Sequence, residues 1–307
     1  MEGILPLFKP AGMTSHDCVF KLRKLLKTKK VGHTGTLDPD VTGVLPICVG
    51  RATKVAEYIT DAGKAYEGEV SLGYTTTTED ASGEKIEEKA VDRIISRSEI
   101  EAALQSFIGQ IEQTPPMYSA VKVNGKKLYE YARQGIEVER PARKVTIYSI
   151  KLLDDRDEFK GEEVSFKFRV SCSKGTYIRT LAVMIGEKLG YPAHMSSLIR
   201  IQSAEFTIED CFTFEQLETM VEEGSVQKAL HPLEAGISYL PKYRINDTVA
   251  EKVKNGALLE IPQNLAETDG TIVVETESGL ALAIYRKHPT KIGLMKPDKV
   301  LRNDQLG

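Results

Sequence analysis

No apolar run in this chain approaches the roughly 20 residues that a membrane-spanning helix needs, and no CxxC pair occurs among its four cysteines. The opening residues, MEGILPLFKPAGMTS, lack a basic segment, a long apolar core and a small-residue cleavage site. A secretory signal is therefore not expected, and the cytoplasm is the expected compartment. Cys18, Cys48, Cys172 and Cys211 are widely spaced, and the nearness of His16 and His33 to the first two matches no usual zinc spacing. They read as small buried thiols in a reducing compartment, and no metal is expected. The chain also lacks GxxxxGK[ST], GxSxG, HExxH and GxGxxG, which removes the carriers of P-loop, serine-hydrolase, metalloprotease and dinucleotide chemistry. TGTLD superficially resembles an aspartyl-phosphate loop, but there the aspartate precedes the Thr-Gly-Thr, and here Gly32 holds that place. A strong net charge is missing too: it is −3 with pI near 6.1, a weak argument against a polyanionic partner.

What is present is a 307-residue chain, 41% hydrophobic and 28% charged, with mean hydropathy −0.25. That is the profile of a globular protein with room for two domains. Its cations are clustered. KLRKLLKTKK (21–30) contains no acid, residues 122–144 carry seven Lys/Arg against three Glu, and 286–302 carry six against one Asp. Acids gather instead at 79–101 and 154–163. Two readings are open: one electropositive face, or three separate solvated segments.

Periodicity predicts the elements. Thr14 and Ser15 are good caps and Asp17 suits a first turn, so 16–28 reads as a basic amphipathic helix with Cys18, Leu22, Leu25 and Leu26 inward. AYEGEVSLG (65–73) alternates strictly, with Tyr66, Gly68, Val70 and Leu72 on one face, as a half-buried strand does. EDASG (79–83) is a turn. Ser98 and Glu101 form a capping box ahead of a helix that Gly109 stops. Residues 118–135 read as a strand, an Asn-Gly turn and a short helix. Residues 164–172 alternate most cleanly, SKG leads into a helix at 176–189, and 197–206 is another strand. Thr213 and Gln216 open a further helix. A seam follows near 235–243, and beyond it come one helix (247–254), short strands and a basic tail. Regular helical crossovers are missing, so the fold class is α+β.

The stretch VGHTGTLDPDVTGVLPICVG (31–50) sets turn residues tight against an apolar run and carries Asp38 and Asp40 with it. A carboxylate just ahead of a buried strand is partly desolvated, which raises its pKa unless a cation compensates. The bland alternative is a turn aspartate capping its own loop. Arg179 stands at the start of a helix, where it opposes the helix dipole. Either it is an exposed arginine beside a turn or it meets a buried carboxylate through a bidentate ion pair. Tyr66 is either a core aromatic or a face for a nucleobase. Tyr118, Tyr129 and Tyr131 interleave with Lys122, Lys126, Lys127 and Arg133, a pattern that suits looped RNA or a packed hairpin.

KPAGMTS (9–15), GHTGTLDPDVTGVLP (32–46), KAYEGEVSLGYTTTTEDASG (64–83), PPMYSAVKVNGKKLYEYARQGIEV (115–138) and SCSKGTYIRTLA (171–182) resemble, in order, five motifs of the bacterial tRNA pseudouridine synthases of the TruB type. The resemblance implies a pseudouridine-synthase fold over 1–240, with an RNA-gripping insertion at about 115–145. Residues 241–307 are similar, more loosely, to the small RNA-binding PUA domain. The implied activity is isomerisation of the T-loop uridine of tRNA, position 55, to pseudouridine by base flipping, with no cofactor and no obligate protein partner, as a monomer. Asp38 would be the covalent catalyst, Arg179 its partner, and Tyr66 would stack on the base and assist proton removal at C5. Tyr177 and Leu198 would line the pocket, and His33 would meet the T loop. Lys9, Asp80, Tyr118 and Lys122 would add RNA contacts. The family often shows TDT before its second acid; here Thr77 stands near that place. A non-catalytic RNA-binding module on the same scaffold is the competing reading.

Overall fold

The computed structural model describes residues 1–303. Its larger sheet has nine strands. Along the main path the order is Gly3–Lys9, Thr42–Val49, Ala193–Ser203, Lys64–Leu72, Val164–Cys172, Arg143–Leu152 and Gly109–Gln113. All neighbours on this path are antiparallel except Thr42–Val49 with Ala193–Ser203, which run parallel. The sheet is therefore mixed and mainly antiparallel.

The parallel junction is unusually close. Gly43 pairs with Arg200, and a Cβ on Gly43 would fall 2.2 Å from the Arg200 carbonyl oxygen. Gly43 also has φ +107°, a conformation other residues resist. Only glycine lets the apolar strand that follows the 31–42 loop seat itself this deeply.

Several elements match their expected spans. Ser15–Leu25 is a helix, and Thr14 and Asp17 form a reciprocal capping box at its start. Val164–Cys172 alternates buried and less buried positions along its length, and Asp247–Lys254 is helical. Other boundaries move. The 98–101 capping box is not used: the helix is Arg97–Gln105, capped by Ser96, whose hydroxyl accepts from the Glu99 N–H. That helix is already over when Gly109 opens a strand. In the 115–145 insertion, Lys122–Val123 pairs with Lys126–Lys127 around the Asn-Gly turn, the short helix Leu128–Ala132 follows, and Arg143 already begins a strand of the larger sheet. The strand expected from 197 begins at Ala193.

A second, five-stranded sheet is ordered Lys242–Ile245, Thr271–Thr276, Ala281–Lys287, Leu294–Val300 and Leu259–Glu260. Val273, Ala281, Ile284 and Leu301 join one apolar cluster with Ile4, Val44 and Cys48 of the larger sheet's region. The Tyr58 hydroxyl donates to Asp298 across that contact at 2.7 Å.

The cationic tail is largely neutralised by its own fold. Arg286 faces Asp298, Lys287 faces Asp269, Lys299 faces Glu57 and Arg302 faces Glu234. Among the described residues no helix is long and apolar enough to cross a membrane. All four cysteines are free; Cys18, Cys48 and Cys172 are buried, whereas Cys211 is only partly so.

Candidate active site

The 31–42 loop is held at several points. Lys9 is fully buried, and its Nζ donates to the carbonyls of Pro10, Pro39 and Val41 at 2.7–2.8 Å. The Ser15 hydroxyl accepts from the Leu37 N–H at 2.9 Å, and buried Thr34 donates to the Pro46 carbonyl. Gly12 N–H donates to the Pro39 carbonyl at 2.9 Å. The Pro39 and Val41 carbonyls and the Leu37 N–H are thus satisfied by the start of the chain, and Asp38 is left at the loop's rim.

Asp38 Oδ2 lies 3.0 Å from Arg179 Nε. The arginine side chain is 6% exposed and the aspartate 42%, so the pair has a sealed end and an open end. Burial raises the Asp38 carboxyl above its ordinary value, Arg179 is the main influence pulling it back, and Asp80 pushes it up again. Among the described residues no loop N–H donates to this carboxylate, which removes the self-capping alternative.

The expected bidentate fork is not what forms. Arg179 meets Asp38 through Nε, while Nη1 donates to the Thr78 carbonyl and Nη2 to the Tyr118 carbonyl, each at 2.9 Å. The guanidinium therefore ties three segments together: the Asp38 loop, the 77–83 turn and the insertion. Asp80 Oδ2 is 4.0 Å from Arg179 Nε. The other oxygen of Asp80 accepts from Thr78 and Ser82 within its own turn.

Two clefts meet at this pair, of about 260 and 350 Å³, and share Asp38, Val41, Arg179 and Leu198 in their walls. Tyr66 and Tyr177 line the first, Asp80 and Tyr118 the second. Tyr66 is 7% exposed on the Lys64–Leu72 strand. Buried Gln113 receives the Tyr177 N–H and donates to the Tyr177 carbonyl, which sets the entry of the Arg179 helix. Among the described residues no three His, Cys, Asp or Glu side chains are grouped to hold a metal ion.

Three expected RNA contacts fall elsewhere. Lys9 has every N–H committed to backbone and no exposure, so its part is to clamp the loop; the motif residue is a staple because its ammonium satisfies carbonyls that the turn leaves open. His33 accepts from the Gly35 N–H through Nδ1 and is not part of either cleft wall. Lys122 is exposed on the insertion hairpin, beside a separate hollow with Val138 and Glu139. The insertion's cations lie over its own rings, with Lys127 and Arg133 each 5.3 Å from the Tyr129 centroid.

Two buried cations were missed in the sequence. Arg200 and Lys64 line the first cleft beside Tyr66. Lys64 donates to the Thr60 and Ala62 carbonyls, and burial, aided by Arg200, pushes its pKa down to about 8. The signal was available at period two: Lys64 precedes Tyr66 by two residues and Arg200 follows Leu198 by two, on faces the alternation already marks as inward.

Among solved structures, this chain superposes on the "Crystal Structure of a Cbf5-Nop10-Gar1 Complex" with a TM-score of 0.76 and 30% identity, covering 98% of this chain and 85% of that one. The architecture is that of the pseudouridine-synthase class. Within it the chain belongs to the TruB family: the model for the TruB family pseudouridylate synthase N-terminal domain matches residues 23–178, and that for the tRNA pseudouridylate synthase B C-terminal domain matches 179–238. Relatives called tRNA pseudouridine synthase B include one from Geobacillus thermodenitrificans, 63% identical over 98% of this chain and all of the relative. Another, from Bacillus subtilis, is 61% identical over 98% of both chains.

Proposed function

We propose that this protein isomerises the T-loop uridine of tRNA, position 55, to pseudouridine, with Asp38 as the catalytic carboxylate. The observation that carries this reading is the ion pair of Asp38 and Arg179 at the junction of two clefts, open on the aspartate side and sealed on the arginine side. A buried arginine that keeps a partly desolvated carboxylate ionised suits a nucleophile or base.

The reaction breaks N1–C1′, turns the uracil and forms C5–C1′. The C5 proton is lost and N1 gains one, so atoms and electrons balance without any added reactant. Asp38 has three routes to it: attack on C1′, attack on C6, or removal of the C2′ proton. Tyr66 and Leu198 line the cleft where, in this reading, a flipped base lies, and Tyr66 takes the C5 proton. Extrusion of the uridine from its loop costs a few kcal/mol, which contacts to phosphate and T-loop backbone offset. Asp80, Tyr118 and Tyr177, at the cleft walls, and Lys122, farther out, supply such contacts in this reading. So does His33, near the loop. Residues 1–240 are the catalytic unit and 241–307 a PUA-like RNA-binding unit (304–307 lie outside the described residues). The working form is a cytoplasmic monomer that needs no cofactor. The relatives named for tRNA support tRNA as the substrate class.

The test is tritium release from tRNA transcripts labelled at uridine C5, with and without the position-55 uridine. Release that depends on that uridine and disappears in Asp38→Asn supports the reading. Equal release by Asp38→Asn sinks the catalytic assignment, and tRNA binding with no release at all favours a non-catalytic RNA-binding module.

A further inference from the structure

Arg200 is fully buried, and its charge has no carboxylate within salt-bridge distance among the described residues. Nε donates to the Val44 carbonyl at 2.7 Å, but Nη2 is shut away from solvent with no hydrogen-bond acceptor. An arginine keeps its proton in any such place, and leaving its donors unpaired costs stability. Packing alone does not call for it, since an apolar side chain of similar volume would avoid that cost.

The placement of this cation is specific. Arg200 and Tyr66 are direct cross-strand partners in the antiparallel pairing of Ala193–Ser203 with Lys64–Leu72. Such partners project from the same face with their Cβ atoms about 5 Å apart. Both side chains line the cleft that contains Asp38. Arg200 Nη1 also lies beneath the catalytic loop, 3.9 Å from where a Cβ on Gly35 would be. The backbone of Arg200 is in turn pinned against Gly43, which has no room for a side chain. The backbone of Arg200 therefore cannot shift away from the Tyr66 strand without disturbing the sheet.

We propose that Arg200 is a positioning residue for Tyr66: its guanidinium holds the phenol oxygen at the base and offsets the negative charge which that oxygen carries in proton transfer. The proposal rests on the reading of Tyr66 as the group that takes the C5 proton. In that step the phenolate of Tyr66 accepts the proton from C5, the C5–H pair forms C5=C6, and the former N1=C6 pair takes a proton from water at N1. Tyr66, now the neutral phenol, returns its proton to water. Burial raises the Tyr66 hydroxyl above its ordinary value, and Arg200 is the largest influence in the opposite direction. The other groups that face it are Asp38 across the cleft, Cys172 on the adjoining strand, whose thiol is pushed up to about 11, and Lys64 on its own strand.

The test is a double-mutant cycle in the full-length protein, read by single-turnover tritium release against pH. Tyr66→Phe, Arg200→Met and the double variant are compared, with Arg200→Lys as the conservative rescue. Arg200→Met is expected to slow release at least about tenfold and to move the ascending limb, on which the Tyr66 phenolate forms, up by about one pH unit, because the phenolate loses its cation. In the Tyr66→Phe background the same change is expected to alter the remaining rate by less than about threefold. Arg200→Lys is expected to restore the limb. Lys64 and Cys172 titrate in both backgrounds, so the cycle separates them from Tyr66. If Arg200→Met does not fold by circular dichroism, Arg200→Gln, which keeps polar donors and removes the charge, takes its place in both backgrounds. Equal losses in the two backgrounds, or a limb that does not move, overturn the proposal. A Tyr66→Phe protein as fast as wild type overturns the Tyr66 reading beneath it, and a wild-type protein that makes no pseudouridine overturns the proposed function instead.

Discussion

Arg179 Nε stands 3.0 Å from Asp38 Oδ2, and the same guanidinium donates to the carbonyls of Thr78 and Tyr118. One buried cation thereby sets the position of the carboxylate and of the two segments that form the walls around it. Charge compensation at Asp38 and the tie between these walls share a single side chain.

Arg179→Lys keeps a positive charge but cannot reach three partners in three directions. The loss of two buried hydrogen bonds is expected to lower stability by about 1–3 kcal/mol. Single-turnover tritium release should fall about a hundredfold or more, in the range of a mispositioned catalytic group. Thermal melts and rate measurements on the same preparation check both, and a near-wild-type rate would show that the three-way tie is dispensable.

The pH profile should carry the signature of Asp38. Its carboxyl is raised above the ordinary 3.8 by burial, so the ionised form is lost on acidification sooner than for a free aspartate. Activity should decline on the acid side from a correspondingly higher pH. Arg179 is the main influence holding that value down, so Arg179→Met should move the acid limb further up. A limb that stays in place in that variant would mean another group sets it.

Lys9→Met would leave the Pro10 and Val41 carbonyls without a donor, while the Pro39 carbonyl keeps the Gly12 N–H. The expected loss is about 2–5 kcal/mol by the usual cost of unsatisfied buried acceptors. The rate should fall because the loop no longer fixes Asp38, whereas tRNA affinity should hold, since Lys9 is not exposed. Filter binding and single-turnover rates separate the two, and a selective loss of affinity would return Lys9 to the RNA-contact list.

Gly43→Ala places a methyl 2.2 Å from the Arg200 carbonyl oxygen at a backbone conformation with φ +107°. The parallel junction would have to part, at a cost of more than about 3 kcal/mol. Denaturant unfolding should register that loss directly. An unchanged midpoint would show that the two strands have slack.

Lys122→Ala should weaken tRNA binding modestly and reduce the dependence of log affinity on log salt by about one phosphate contact. Lys122 is exposed and away from both clefts, so the chemical step should not change. Affinity measured across salt concentrations decides whether the insertion grips the backbone.

Alternation and capping are local, and they were legible where they were strong. Residues 164–172 and 65–73 could be read as strands because every second residue is apolar, and the Thr14–Asp17 cap marked its helix from four residues. The 98–101 box failed because Ser96 offers an equally good cap one short step earlier, and the strand Ile95–Ser96, paired with Glu158–Phe159, fixes that entry. Asp38, Tyr66 and Arg179 were named from motifs, and Asp38 and Arg179 also from local incongruity, a carboxylate before a buried strand and an arginine opposing a helix dipole.

Three-dimensional packing decided the rest. Whether Arg179 faces Asp38 through one nitrogen or two depends on carbonyls supplied by Thr78 and Tyr118, which no local pattern encodes. Lys9 became a clamp rather than an RNA contact because the loop folds over it. Arg200 entered the site only because its strand pairs with the Tyr66 strand on one side and the Gly43 strand on the other. What neighbours along the chain could determine was side-chain type and periodicity, and with them where most strands and helices lie. The tertiary structure alone determined which charges meet, because ion pairs and buried donors depend on contacts between segments far apart in the chain.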